Sequence, residues 1–140
     1  MTDKKKIVID ARMLESGGIG VFIQNLIPYF ITKYKVTLIL GSCNSNIKEF
    51  KWFQEVSIVH TKISPFSLKQ HIFFPFVIPH CDIYFSPHWN IPFLPIRASH
   101  IVTTIHDIFY VNEFSLSPRY IFTYIYIFLA LRLSSEIITV

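Results

Sequence analysis

Ile7-Val8-Ile9-Asp10-Ala11-Arg12, followed by Gly17-Gly18-Ile19-Gly20, is the stretch whose reading decides the fold. An apolar run closing on an acid, then a glycine cluster, then apolar residues at helical spacing is how a parallel α/β domain opens when it binds phosphate. Glycine permits positive φ and leaves no Cβ between backbone N–H groups and an anion. The first turn of the next helix adds unpaired donors and a positive dipole end. The same glycines also suit a bare strand-to-helix turn, because turn chemistry demands Gly whatever binds there. Both readings stand on this stretch alone.

Two ligand classes fail on its spelling. A dinucleotide fingerprint needs a third glycine where the chain has Ile23, and an acid at the end of the second strand where it has Gly41-Ser42. A P-loop closes on Gly-Lys-Ser/Thr, and Gly20-Val21-Phe22 offers no lysine. NAD binding and ATP hydrolysis are therefore disfavoured, and no cofactor is expected.

Outward from the opening, strand and helix alternate. Ile19, Phe22, Ile23, Leu26 and Phe30 share one helical face, with Pro28 late in the helix and a kink expected there. Val36 to Leu40 reads as a buried parallel strand, 44–53 as a short helix, and Val56 to Val59 as a third strand. Between Ser64 and His80 a dense apolar pattern interrupted by Pro75 and Pro79 reads as a broken helix. Asp82 to Ser86 is a strand, Pro87 to Pro92 a loop, and Ile101 to Ile105 a buried strand ending at His106-Asp107. Ser117-Pro118 opens a long aromatic helix, with Pro in the first turn, and Ser135 to Val140 closes the chain as one more strand. The expected fold class is α/β, a Rossmann-like parallel sheet with flanking helices.

Composition bounds the function. The 140 residues make one domain, 51% hydrophobic and only 16% charged, against about 25% charged in a typical soluble domain. Part of the net charge of +4 comes from Lys4-Lys5-Lys6, a solvated start to the first strand; no stripe of bases interleaved with aromatics suggests nucleic acid. Cys43 and Cys81 lie far apart, without the spacing of a zinc site or a disulfide framework, so both are read as ordinary thiols and no metal is expected. The first apolar run is cut by Asp10 and Arg12 and fails as a signal peptide, and Tyr120 to Leu131 is too short to span a membrane. The expected location is the cytoplasm, with peripheral association at the inner face of the membrane as the alternative. Against attachment, Phe, Tyr and Ile occur all round the 120–131 helix, with Arg119 and Arg132 only at its ends, which reads as core.

Three polar groups share one address. Gly17-Gly18-Ile19-Gly20, His88-Trp89-Asn90 and His106-Asp107 each follow a strand, and in open parallel sheets the carboxyl ends of strands line the ligand crevice. Each also has a plainer reading. His88 and Trp89 suit a surface loop, His106 a hydrogen-bonded strand end, and Asp107 a cap on the following turn.

Taken together, the opening 7–12 motif, the glycine loop with Leu26-Ile27-Pro28-Tyr29, and Val102-Thr103-Thr104-Ile105-His106-Asp107-Ile108-Phe109 resemble the N-terminal half of family 4 glycosyltransferases of the GT-B fold, closest to mannosyltransferase-like members. The resemblance runs from about residue 7 to Val140. It implies transfer of a hexose from a nucleotide-diphosphate sugar, with retention, to a glycan or lipid-linked acceptor. It places Gly17, Gly18 and Gly20 near the donor phosphates and His106 on the active-site histidine that contacts the transferred sugar. Asp10, Arg12, His88, Trp89, Asn90 and Asp107 become acceptor-side candidates. The donor-binding C-terminal domain of that family has no counterpart here, so this chain alone is expected to transfer no sugar. The rival readings are a non-catalytic Rossmann-like binding or assembly module and an inactive truncated remnant.

Overall fold

The protein is described here by a computed structural model covering residues 4–42, 47–106 and 118–140. Six parallel strands form one sheet in the order β3-β2-β1-β4-β5-β6. They are β1 (Lys6–Asp10), β2 (Lys35–Leu40), β3 (Ser57–His60), β4 (Cys81–Ser86), β5 (Ala98–Ile105) and β6 (Glu136–Thr139). The helices are α1 (Gly17–Lys33), α2 (Leu68–Val77) and α3 (Pro118–Leu133). Where 44–53 reads as a short helix, the described residues form two short 3-10 helices, Ile47–Glu49 and Lys51–Glu55, while 44–46 lie outside the described residues. This is the α/β Rossmann-like arrangement that the alternating pattern implies.

The two-residue period of the strands sorts the core into two layers. Ile7 and Ile9 of β1, Leu38 and Leu40 of β2 and Phe85 of β4 pack on one face with Ile23 and Ile27 of α1 and Trp52. Val8, Ile39 and Tyr84 face the other way, toward Phe74 of α2 and Ala130 of α3. Burying Ile23 and Ile27 contributes about 1.5–3 kcal/mol each, enough to hold α1 on the sheet despite Pro28 inside it. Parallel neighbours need a crossover, and between β4 and β5 no helix supplies it. The 87–97 loop does so instead, with Ile91 buried in the α2 layer and Trp89 and Ile96 packed against it.

Two elements differ from the sequence reading in ways that matter. The helix begins at Gly17 itself, so Gly17, Gly18 and Gly20 form its first turn rather than a loop ahead of it. And α3 is not a core helix. Of its described side chains only Tyr126 and Ala130 are buried, while Ile121, Phe122, Ile125 and Phe128 are exposed. An apolar residue at every position cannot tell how many sides of a helix are covered, and this one is covered only where it meets the sheet and α2.

Candidate functional site

β1 is flanked by β2 on one side and β4 on the other, and the chain leaves β1 toward β2 but returns to β4. That reversal opens the crevice at the carboxyl ends of β1 and β4 in which such sheets hold ligands. Asp10 ends β1; His88, Trp89 and Asn90 follow β4; His106 follows β5; Gly17, Gly18 and Gly20 open α1. Asp107 lies outside the described residues, as does Cys43.

Parity explains which side chains meet. Val8 pairs with Tyr84 in register and both face α2, so Asp10, two residues on, faces α2 as well. There its carboxylate accepts a two-pronged contact from Arg12, Nε to Oδ1 at 2.8 Å and Nη2 to Oδ2 at 2.7 Å, with both side chains wholly covered. The guanidinium also donates to the Ile63 carbonyl at 3.1 Å and to Gln70 Oε1 at 2.9 Å, and lies 3.7 Å from the centroid of the Phe74 ring. Gln70 in turn donates to the Asn90 carbonyl, and Asn90 Nδ2 donates back to Gln70 Oε1, each at 3.2 Å. The Tyr84 hydroxyl approaches Asp10 Oδ2 at 3.4 Å. These bonds tie the ends of β1 and β4 to α2 through buried polar groups, an arrangement stable only because nearly every member is paired.

Electrostatics follow from burial. Burial works against the Asp10 carboxylate, but the charge and hydrogen bonds of Arg12 outweigh it and hold Asp10 below its ordinary value. Burial and then the Asp10 charge push the Tyr84 hydroxyl well up. Burial lowers His88 to about 4 in spite of Asp10, with Arg12 and His106 adding to the shift, so the ring is neutral at pH 7. Its Nδ1 accepts the Asn90 N–H at 3.2 Å, which puts the proton on Nε2, 3.6 Å from Asp10 Oδ2 and beyond hydrogen-bonding reach. His88 Nε2 and Asn90 Oδ1 are both buried and have no hydrogen-bond partner among the described residues. Asp10, Arg12, His88 and Asn90 thus form an internal frame, in which the charges of Asp10 and Arg12 are spent on one another.

His106 is different. It is only partly buried, its Nε2 lies 2.8 Å from the Pro87 carbonyl at the end of β4, and its ring meets Phe22 of α1 edge-on at 4.8 Å between centroids. A carbonyl can only accept, so Nε2 carries a proton, and Nδ1 is the ring nitrogen left outside this bond. The structure therefore brings together the ends of β4 and β5 and the α1 helix. Trp89, half-buried, packs on Phe66 and Tyr126 on the α2 side.

The three glycines divide by job. Gly17 has φ of +49°, the left-handed region that L side chains avoid. A Cβ on Gly20 would lie 2.4 Å from the Leu14 carbonyl oxygen, so this glycine lets α1 close against the preceding loop. A Cβ on Gly18 would meet nothing within 4 Å among the described residues. Ser16 makes no side-chain cap, and the first bond back along the chain runs from the Gly20 N–H to the Ser16 carbonyl at 3.0 Å. Gly17 and Gly18 are exposed in the turn before that bond, where helix amides face outward and suit an anion. A recess of about 90 Å³ opens at the ends of β2 and β3, lined by Arg12, Gly41, Ser42, Thr61, Lys62 and Ser64 among others.

Gln70 and Tyr84, which complete the buried frame, were not legible as site residues. A signal existed for Gln70, a polar residue four positions before Phe74 on the buried face of an otherwise apolar helix. Among the described residues no group of three His, Cys, Asp or Glu side chains could hold a metal ion. Fold and site together define a Rossmann-like α/β domain with polar side chains gathered at the switch point of its sheet. Compared with models of protein families, with curated proteins and with solved structures, the chain finds no match.

Proposed function

We propose that this domain is the acceptor-side half of a retaining glycosyltransferase, acting on a hexose carried by a nucleoside diphosphate and on a glycan or lipid-linked acceptor. The observation that carries the reading is the setting of His106: partly exposed at the end of β5, anchored by Nε2 to the Pro87 carbonyl, and packed on the helix that begins with Gly17 and Gly18. Departure of a nucleoside diphosphate builds negative charge. Helix amides aimed at the phosphates oppose that charge without reorganising, which is the largest kind of contribution an active site makes. His106, its Nε2 proton held by Pro87, offers Nδ1 to a sugar hydroxyl as acceptor and so orients the ring being transferred. The Asp10–Arg12–Gln70–Asn90 frame serves this site by fixing the strand ends on which it is built.

A second reading, a non-catalytic binding or assembly module, is favoured by one observation: Gly17 and Gly20 both have structural reasons to be glycine. The coding sequence past Val140 separates the two. A frame that continues into a second Rossmann-like domain, with sugar transfer by the product, supports the transferase. A continuing frame whose product leaves nucleotide-sugars untouched supports the module.

A further inference from the structure

The surface that α2 and α3 turn away from the sheet is a feature the proposed site does not use. The two helices lie side by side on one face: His71 Nε2 of α2 is 2.6 Å from the Tyr126 hydroxyl of α3, and the Phe93 ring stacks on His71 at 3.8 Å. Outward from this seam stand Ile72, Phe73 and Phe76 of α2 and Phe122, Ile125 and Phe128 of α3, with Phe76 79% exposed and Phe122 55%. Phe93, itself at the surface, bridges the two rows, its ring 5.1 Å from Tyr126. Scattered apolar side chains need no explanation, but a contiguous aromatic and aliphatic surface marks an interaction site.

The polar residues of the same surface say what covers it. The exposed described positions of α2 and α3 carry no carboxylate, no amide and no hydroxyl other than that of Tyr124; their only charges are Lys69 and Arg132. The adjoining 87–97 loop also lacks acids and ends on exposed Arg97. The Arg132 guanidinium lies 5.3 Å from the centroid of the Phe128 ring, a base whose stem runs along apolar surface. A typical protein interface carries about ten directional hydrogen bonds, for which the exposed described positions of these helices have almost no partners to offer. A second copy would also set base against base, with no acid among the exposed described positions of the two helices. Apolar bulk with bases and no other polar groups is what an anionic bilayer surface matches. Among the described residues no helix is long and apolar enough to cross a membrane, so the contact is lateral.

We propose that the outer face of α2 and α3 docks on an anionic lipid surface, aromatic side chains in the headgroup boundary and Lys69, Arg97 and Arg132 against lipid phosphates. The proposal stands apart from the sugar-transfer reading, since none of these side chains belongs to that site. Flotation of the purified protein with vesicles of phosphatidylcholine, alone or mixed with phosphatidylglycerol, tests it. Binding is expected to the mixed vesicles at least about tenfold over the neutral ones, weakening in high salt. The exposed pair Phe73→Ser and Phe76→Ser should lower it about tenfold or more while circular dichroism stays unchanged. The pair Lys69→Glu and Arg132→Glu should cost about 25-fold or more, taking about fivefold for each base lost near the surface. Absence of vesicle binding, equal binding to both lipids, or binding that both variants leave intact would overturn the proposal. So would a dimer in light scattering that the phenylalanine variant dissolves and that does not float.

Discussion

His88 makes the domain sensitive to acid in a window that can be worked out from its surroundings. In the unfolded chain the ring takes a proton at the ordinary value near 6.5, whereas in the fold it does so only at about 4. Between those values the unfolded state holds a proton that the folded state lacks, so stability falls as pH is lowered through the window and is fully present above it. Two and a half pH units at about 1.4 kcal/mol each amount to roughly 3 kcal/mol, most of it lost by about pH 4.5. That is a large share of the 5–15 kcal/mol typical of a domain. His71, lowered by burial and by the Arg12 charge, acts in the same sense. Asp10 is lowered as well, but from the carboxylate range, so its contribution is lost only as pH falls below that range. Urea unfolding followed by the fluorescence of Trp52 and Trp89, repeated at several pH values, measures the slope. His88→Gln retains an acceptor for the Asn90 N–H and cannot titrate, so the part of the slope that belongs to His88 should vanish in it. A wild-type domain equally stable at about pH 7 and about pH 4.5, or an unchanged slope in the variant, would refute the reasoning.

Three further outcomes follow from the same geometry. Asp10→Ala leaves the buried Arg12 guanidinium without its two-pronged partner and should cost about 3–5 kcal/mol in thermal or urea unfolding. Gly20→Ala drives a Cβ into the Leu14 carbonyl and should cost about 1–3 kcal/mol, whereas Gly18→Ala, with open space around it, should be neutral or stabilising by up to about 1 kcal/mol; equal effects would count against the division of labour among the glycines. In an active transferase containing this domain, His106→Ala should lower kcat by about 100-fold with donor affinity nearly unchanged, and an unaltered kcat would make His106 a structural strand-end residue.

Much of the fold was legible because each strand carries its own signal. Ile7-Val8-Ile9 of β1 and Leu38-Ile39-Leu40 of β2 are continuously apolar and buried, as strands covered on both faces tend to be, and they end at Asp10 and Gly41; in β5, Ile101 and Val102 are followed by the buried Thr103 and Thr104 before the strand gives way to His106. Strand order was not legible, since it depends on pairings between residues far apart in the chain. The helical 120–131 stretch was misread as core because an all-round apolar pattern is silent about what lies beside the helix. At the site, sequence brought Asp10, His88 and His106 to one edge but could not separate the saturated from the available. Asp10 closes β1 and Arg12 lies two residues on, a spacing that foreshadows their ion pair. Gln70, which closes the frame from α2, reaches it only through tertiary packing.

The central claim, that the α1 N-terminus and His106 form one sugar-nucleotide edge, is tested most directly by a nuclear magnetic resonance titration of the labelled domain with a nucleoside-diphosphate sugar. Weak, saturable shifts are expected at the Gly17 and Gly18 amides and the His106 ring; in His106→Ala, as with the bare diphosphate, shifts should persist at the two glycine amides and be absent around position 106. Shifts confined to Lys4–Lys6, or none at the glycines and His106 at millimolar ligand, would contradict it.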